Sequence, residues 1–165
     1  MANGDLLETL LAHDRWATGQ VLDACAGLSE EQLHRRFEIG PGSLHDTLVH
    51  MAGAIRTWTE TLAGWPARPR PEGDGKRRTV GEMRAMLEEA WGEFGAEARR
   101  APVDERVERR LRDGRVVVMA RGAVLAHVAT HGVHHRAQCL NMLRRLGVER
   151  LPGSSVTEWV MAGKG

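Results

Sequence analysis

Apolar residues recur every three or four positions over four long stretches of the chain, the period of a helix with one buried face. The first stretch runs from Asp5 to Ala26, with Leu6, Leu10, Ala17 and Val21 on the stripe and Leu7, Leu11 and Cys25 widening it. In the following GLSEEQLHRRF, Ser29 is placed to cap a short helical turn, and Gln32 completes a capping box. A second long helix is expected from Ser43, just past Gly40-Pro41-Gly42, with Asp46 suiting its positive end. Its stripe is Leu44, Leu48, Met51, Ile55, Trp58 and Leu62, and it stops at Gly64. The segment WPARPRPEGDGKRRT then breaks the period. It reads as a loop crossing between helices, because too little chain lies on either side for two good cores.

Thr79 and Glu82 form a second capping box for a helix whose stripe is Val80, Met83, Leu87, Ala90, Trp91, Phe94 and Ala98, ending before Pro102. In RVERRLRDGRVVVMA, Asp113-Gly114 separates two short runs compatible with strands, the signal for a β-hairpin, with a continuous charged loop as the rival reading. The helical period returns at Arg121 and runs to Arg145 or Leu146, with Gly147 as the stop. A tail around Val156–Met161 could add a last turn. The pattern predicts an all-α four-helix bundle over residues 1–165 as one domain, with a possible hairpin between the third and fourth long helices. The two long connections leave room for crossovers, so a simple up-and-down order does not follow.

Composition narrows the function classes. At 42% hydrophobic and 27% charged residues, the 165-residue chain should fold around a sizeable core. A formal net charge of +1 speaks against a nucleic-acid partner. The arginines at 68–78 and 99–115 sit among or beside acidic residues and read as solvated loop and helix surface. No apolar run is long enough for a membrane span, MANGDLLETLLAHDRW lacks the layout of a signal peptide, and Cys25 and Cys139 make no disulfide framework. A cytoplasmic location is the expectation, with no membrane partner.

The chemistry is concentrated in HVATHGVHHRAQ, which holds four of the eight histidines, His127, His131, His134 and His135. On a helical wheel Val124, Val128, His131, His135, Cys139, Met142 and Leu146 share one stripe, so His131 and His135 face the core one turn apart. Imidazoles at i and i+4 can grip one metal ion. His131 is followed by Gly132, so the glutamate base of the helical metalloproteases is missing. A third ligand should come from a facing helix, and His50, beside Met51 on the inner stripe, is the best placed. Three neutral imidazoles would leave coordination room for water or substrate.

Other assignments stay open on spacing alone. A His127/His131 pair competes as ligand set, and buried structural histidines are the bland alternative. His134 would point to solvent or a subunit interface, and His45 outward. His13 and Asp14 could reach the bundle centre, where Asp14 could orient a ligand imidazole, or could lie at the surface. Cys139 is a possible fourth ligand or a small core-filling thiol. Gln138, three residues from His135, could bond a ligand.

SLHDTLVHMAGAIRTW, followed far downstream by HVATHGVHHRAQCLNMLRRLG and preceded by HDRWATGQVL, resembles the DinB/YfiT-like family of metal-binding bundles. The likeness covers most of the chain and is weakest at 65–115. It implies a four-helix bundle of unusual helix order, frequent homodimers, and one divalent metal ion on His50, His131 and His135, the three that the wheel also selects. Zinc or nickel are the foremost metals, and iron is possible. Some relatives are transferases or isomerases that use a low-molecular-weight thiol as cosubstrate, and others are proposed hydrolases. The resemblance therefore points to a metal-dependent enzyme acting by thiol transfer or hydrolysis on a small substrate. A noncatalytic metal-binding stress-response module is the alternative. No catalytic residue beyond the ligands can be named from the sequence.

Overall fold

The computed structural model describes residues 5–111 and 113–165. It is 60% helix and 6% strand. In chain order the described elements are α1 (Leu6–Cys25), α2 (Glu30–His34), α3 (Leu44–Ala63), α4 (Val80–Arg99), β1 (Arg106–Arg110), β2 (Val116–Ala120), α5 (Arg121–Arg145) and α6 (Val156–Met161). The helix starts follow the capping chemistry of the sequence. Ser29 with Gln32 and Thr79 with Glu82 form reciprocal capping boxes, and Ser43 accepts from the Asp46 amide. The hairpin forms about Asp113-Gly114, with Arg106 opposite Ala120 and Arg110 opposite Val116.

Four long helices make the bundle, each packed mainly on two others: α1 on α4 and α5, and α3 on α4 and α5. Ion pairs across the seams give their directions. Glu8, Arg15 and Asp23 of α1 meet Arg99, Glu88 and Arg84 of α4, so these two run antiparallel. Arg56 meets Glu89, while Arg121 links the Leu62 and Glu97 carbonyls, so α3 and α4 run parallel. Sequence-adjacent parallel helices need a connection that returns the whole length of a helix, and residues 65–79 are that connection. The segment is a strap laid back along α3. Arg68 bonds Glu60, Arg70 bonds the Gly53 carbonyl, Glu72 meets His50, and the Arg78 amide donates to His45.

The strap corrects the expectation of a solvated arginine surface at 68–78 only in part: Arg70 and Arg77 are exposed, whereas Arg68 and Arg78 are partly buried. Arg68 also forms a two-pronged pair with Glu93 of α4 at 2.9 and 2.7 Å. Arg121, 2% exposed, donates to the last turns of both α3 and α4, where the carbonyls of a helix end need donors.

The core is drawn largely from the expected stripes, including Val21, Leu44, Leu48, Met51, Met83, Leu87, Phe94 and Met142, and it adds Leu22 and Leu143 beside them. Each such side chain contributes roughly 1.5–3 kcal/mol by leaving water. Leu6 is an exception, lying 71% exposed at the fraying start of α1. The inward face of α1 carries Asp14 instead. Asp14 accepts from Arg136 of α5 and, at 3.0 Å, from the Trp91 indole of α4, and Arg136 also donates to Thr18. Among the described residues no helix is long and apolar enough to cross a membrane.

Candidate metal centre

His50 stands on α3, and His131 and His135 one turn apart on α5, where the two helices pack antiparallel. One ring nitrogen from each of the three lies within 4.8 Å of the others. The Nε2 atoms of His131 and His135 are 3.0 Å apart, and the His50 ring centre is 5.2 and 4.7 Å from theirs. Nitrogens bound to one tetrahedral ion at about 2.0–2.1 Å sit about 3.4 Å apart, so this donor set suits an ion after small ring rotations. Three histidines so close could bind a metal ion.

Two neighbours fix which nitrogens face inward. The Nδ1 of His50 donates to Glu72 Oε1 at 3.2 Å, which leaves its Nε2 lone pair free. The Nδ1 of His135 donates to Gln138 Oε1 at 2.8 Å with the same result, and the Gln138 amide in turn donates to His134 Nε2 at 2.9 Å. An acceptor behind the ring, holding tautomer and orientation, is the arrangement metal-binding histidines use. Glycines make both neighbours possible. A Cβ on Gly53, one turn after His50, would collide with the Glu72 carboxylate. Gly40, at φ +52°, carries the loop backbone against Gln138 where a side chain would not fit.

The electrostatics agree with a site built for neutral imidazoles. Burial, and then the neighbouring rings of His135, His50, His127 and His134, push His131 down to about 4. His135 is also pushed down to about 4, by burial first, against the opposing Gln138 bond and with help from His50 and His134. Burial raises the Glu72 carboxyl, but the His50 hydrogen bond and the nearby Arg70 charge outweigh it and hold the group below its ordinary value. Glu72 Oε2 is buried with no partner. A cleft of about 440 Å3 opens beside the cluster, with His50, Glu72, His45 and the strap residues 71–78 among its walls.

Several expectations need correction. His45 is 5% exposed rather than outward. The returning strap covers it, its Nε2 accepts the Arg78 amide at 3.1 Å, and its Nδ1 donates to Asp46. Asp14 touches no ligand imidazole, because Arg136 and Trp91 use its oxygens, and the orienting acceptors are Glu72 and Gln138 instead. His13 is buried but points away from the cluster, donating to the Ser154 carbonyl at 3.0 Å beside Trp159. Cys139 is a core-filling thiol, fully buried and shifted upward by that burial, outside the three-histidine group. His127 is exposed and packs on Trp58, 5.5 Å from the His131 ring but not in the cluster. His134 is exposed, one of the two positions expected for it. Glu72 was missed; its only sequence sign was a glycine at 53 with no local reason in mid-helix.

No curated protein matches the chain. The sequence does match the family model described as "DinB family" over residues 1–159, and with that span, this bundle and this trio of histidines, the chain belongs to the DinB family.

Proposed function

We propose that this protein is a metal-dependent enzyme that transfers a small thiol to an electrophilic substrate, with His50, His131 and His135 as the ligands of one divalent ion, zinc or nickel foremost. The observation that carries the reading is the convergence of three ring nitrogens at a partly exposed rim beside a cleft, with no fourth histidine, cysteine or carboxylate in the group among the described residues. Structural zinc sites are closed by four protein ligands, whereas catalytic sites keep a position open.

Bound there, a divalent ion would act as a Lewis acid and lower the pKa of a thiol or of water. The chain's own residues do the rest. Glu72 and Gln138 hold the His50 and His135 rings with their Nε2 atoms inward. The strap keeps bulk water from the Glu72 side, and the cleft admits the thiol. In the transfer the thiol gives its proton to water, its sulfur forms the bond to the electrophilic carbon, and the leaving group departs with the bonding pair and takes up a proton from solvent.

Elemental analysis of purified protein tests the ligand set. We expect about one divalent ion per wild-type chain and almost none in His131→Ala; equal content in the two removes the assignment. A panel of low-molecular-weight thiols and electrophiles then tests the activity. We expect metal-dependent thiol consumption, and its absence across the panel with fully loaded protein defeats the thiol-transfer reading.

A further inference from the structure

Along the same seam from the three-histidine centre, toward the C-terminal end of α3, two arginines near enough to feel each other's charge have no carboxylate of their own. Arg109 projects from β1 and lies over Trp58, its guanidinium carbon 4.3 Å from the ring centre. One N–H of Arg109 donates to Thr61 Oγ1 at 3.1 Å, and its other N–H groups have no protein acceptor among the described residues. Arg70, on the strap, donates only to the Gly53 carbonyl, at 3.4 Å. Neither forms an ion pair among the described residues. The carboxylate that Arg109 feels most is Glu60, and Glu60 is already bonded to Arg68 through both the backbone amide and Nε.

The arrangement is electrostatically incomplete. Burial and the Arg70 charge both lower the proton affinity of Arg109, which is partly buried, while Arg70 itself is exposed. A partly buried charge is ordinarily matched. The partly or fully buried Arg68, Arg78 and Arg136 each sit against an acid. The Trp58 ring also packs against His127, and His127 adjoins His131, so steps of 4.3, 4.6 and 5.5 Å link the guanidinium to the centre along the seam.

We propose that Arg109, seated on Trp58 and reinforced by Arg70, binds the carboxylate of a small anionic substrate whose reactive end lies at the three-histidine centre. Stacking on the indole leaves the guanidinium edge free, and its forked N–H groups suit a two-oxygen acceptor. The anion relieves the repulsion between the two arginines. As a statement about substrate the inference rests on the enzyme reading above, but the anion site can be tested without it.

The first measurement uses metal-free protein and compares benzoate with the neutral isostere benzamide, by calorimetry. Wild type should bind benzoate about tenfold more tightly than benzamide, Arg109→Met should bind the two alike, and Arg109→Lys should keep part of the difference. Equal binding of both probes by wild type, or an undiminished preference in a folded Arg109→Met, overturns the proposal. The second measurement uses cobalt-loaded protein, whose visible spectrum reports a sulfur ligand, and compares 3-mercaptopropionate with 2-mercaptoethanol. A preference of about tenfold for the carboxylate thiol, lost in Arg109→Met, places the anion site within reach of the centre. No preference there removes the link between the two. Failure of cobalt to bind, with benzoate discrimination intact, defeats the metal reading and leaves the anion site standing.

Discussion

Helix α5 carries two polar clusters on its inward side, and they are built to opposite plans. Toward α1, Arg136 meets Asp14 and Thr18 through Nη1, and Asp14 also takes the Trp91 indole, while Arg136 Nε is buried without a partner. Asp14 and Arg136 are 6% and 1% exposed, and opposite charges meet. Toward α3, His131 and His135 meet His50, each group of the same kind as its neighbours, at a rim that solvent reaches. Their outward nitrogens are bonded where a partner exists, and the inward ones face one another. A cluster that answers its own charges holds helices together. A cluster that turns three lone pairs toward one point leaves its completion to something from outside the chain.

Breaking the first cluster should cost the most. Asp14→Ala strands the Arg136 guanidinium in the core, and losing one partner of a buried pair costs about 3–5 kcal/mol. Urea denaturation should show that loss, while the chains that remain folded keep their metal content. A loss under 1 kcal/mol would mean that the pair contributes no more than a surface contact.

The pH response separates the clusters by a smaller amount. In the folded, metal-free protein His131 and His135 are held down to about 4, whereas in the unfolded chain such groups titrate near 6.5. Between those values the unfolded chain binds more protons, so stability is intact above about pH 6.5 and falls as the pH drops toward 4. Solvent reaches His131 and screens its share, while His135 is buried, so the two together should account for on the order of 2 kcal/mol. Thermal melts of metal-free wild type and His131→Ala across this range check it. The variant should lose less on acidification, and parallel curves would show that these rings are not the groups responsible.

The two clusters were also unequally legible in the sequence. Helical period makes the histidine trio the best-placed set, since His131 and His135 share a stripe and His50 borders another, but it leaves a His127/His131 pair open until the family resemblance favours the trio; the capping residues fix where two of the helices begin. The partners that complete each cluster were not legible, because they arrive from far along the chain. Asp14 and Arg136 are 122 residues apart, and nothing local to Asp14 says that its stripe will face an arginine. Glu72, Arg70 and the covering of His45 all depend on the path of the strap, and its prolines and glycines announced only that a helix had ended. The path follows from α3 and α4 lying parallel, a property of the packed bundle that no single segment encodes.

The finest test of the comparison is Glu72→Gln, which keeps an acceptor for His50 Nδ1 and removes only the charge behind it. If Glu72 serves the ion through His50, metal affinity should weaken by about tenfold, roughly 1.4 kcal/mol, the lower end for such supporting groups. The metal-free protein should be nearly unchanged or slightly stabilised, because Glu72 Oε2 is buried without a partner and a neutral amide is cheaper to keep there than a carboxylate. Competition with a chelator reads the first effect and thermal denaturation the second. A variant that loses stability and metal together would place Glu72 with Asp14, among the groups that hold the fold. A loss of affinity alone would set it on the open side of the bundle, where the chain holds a charge in place for a ligand it does not itself supply.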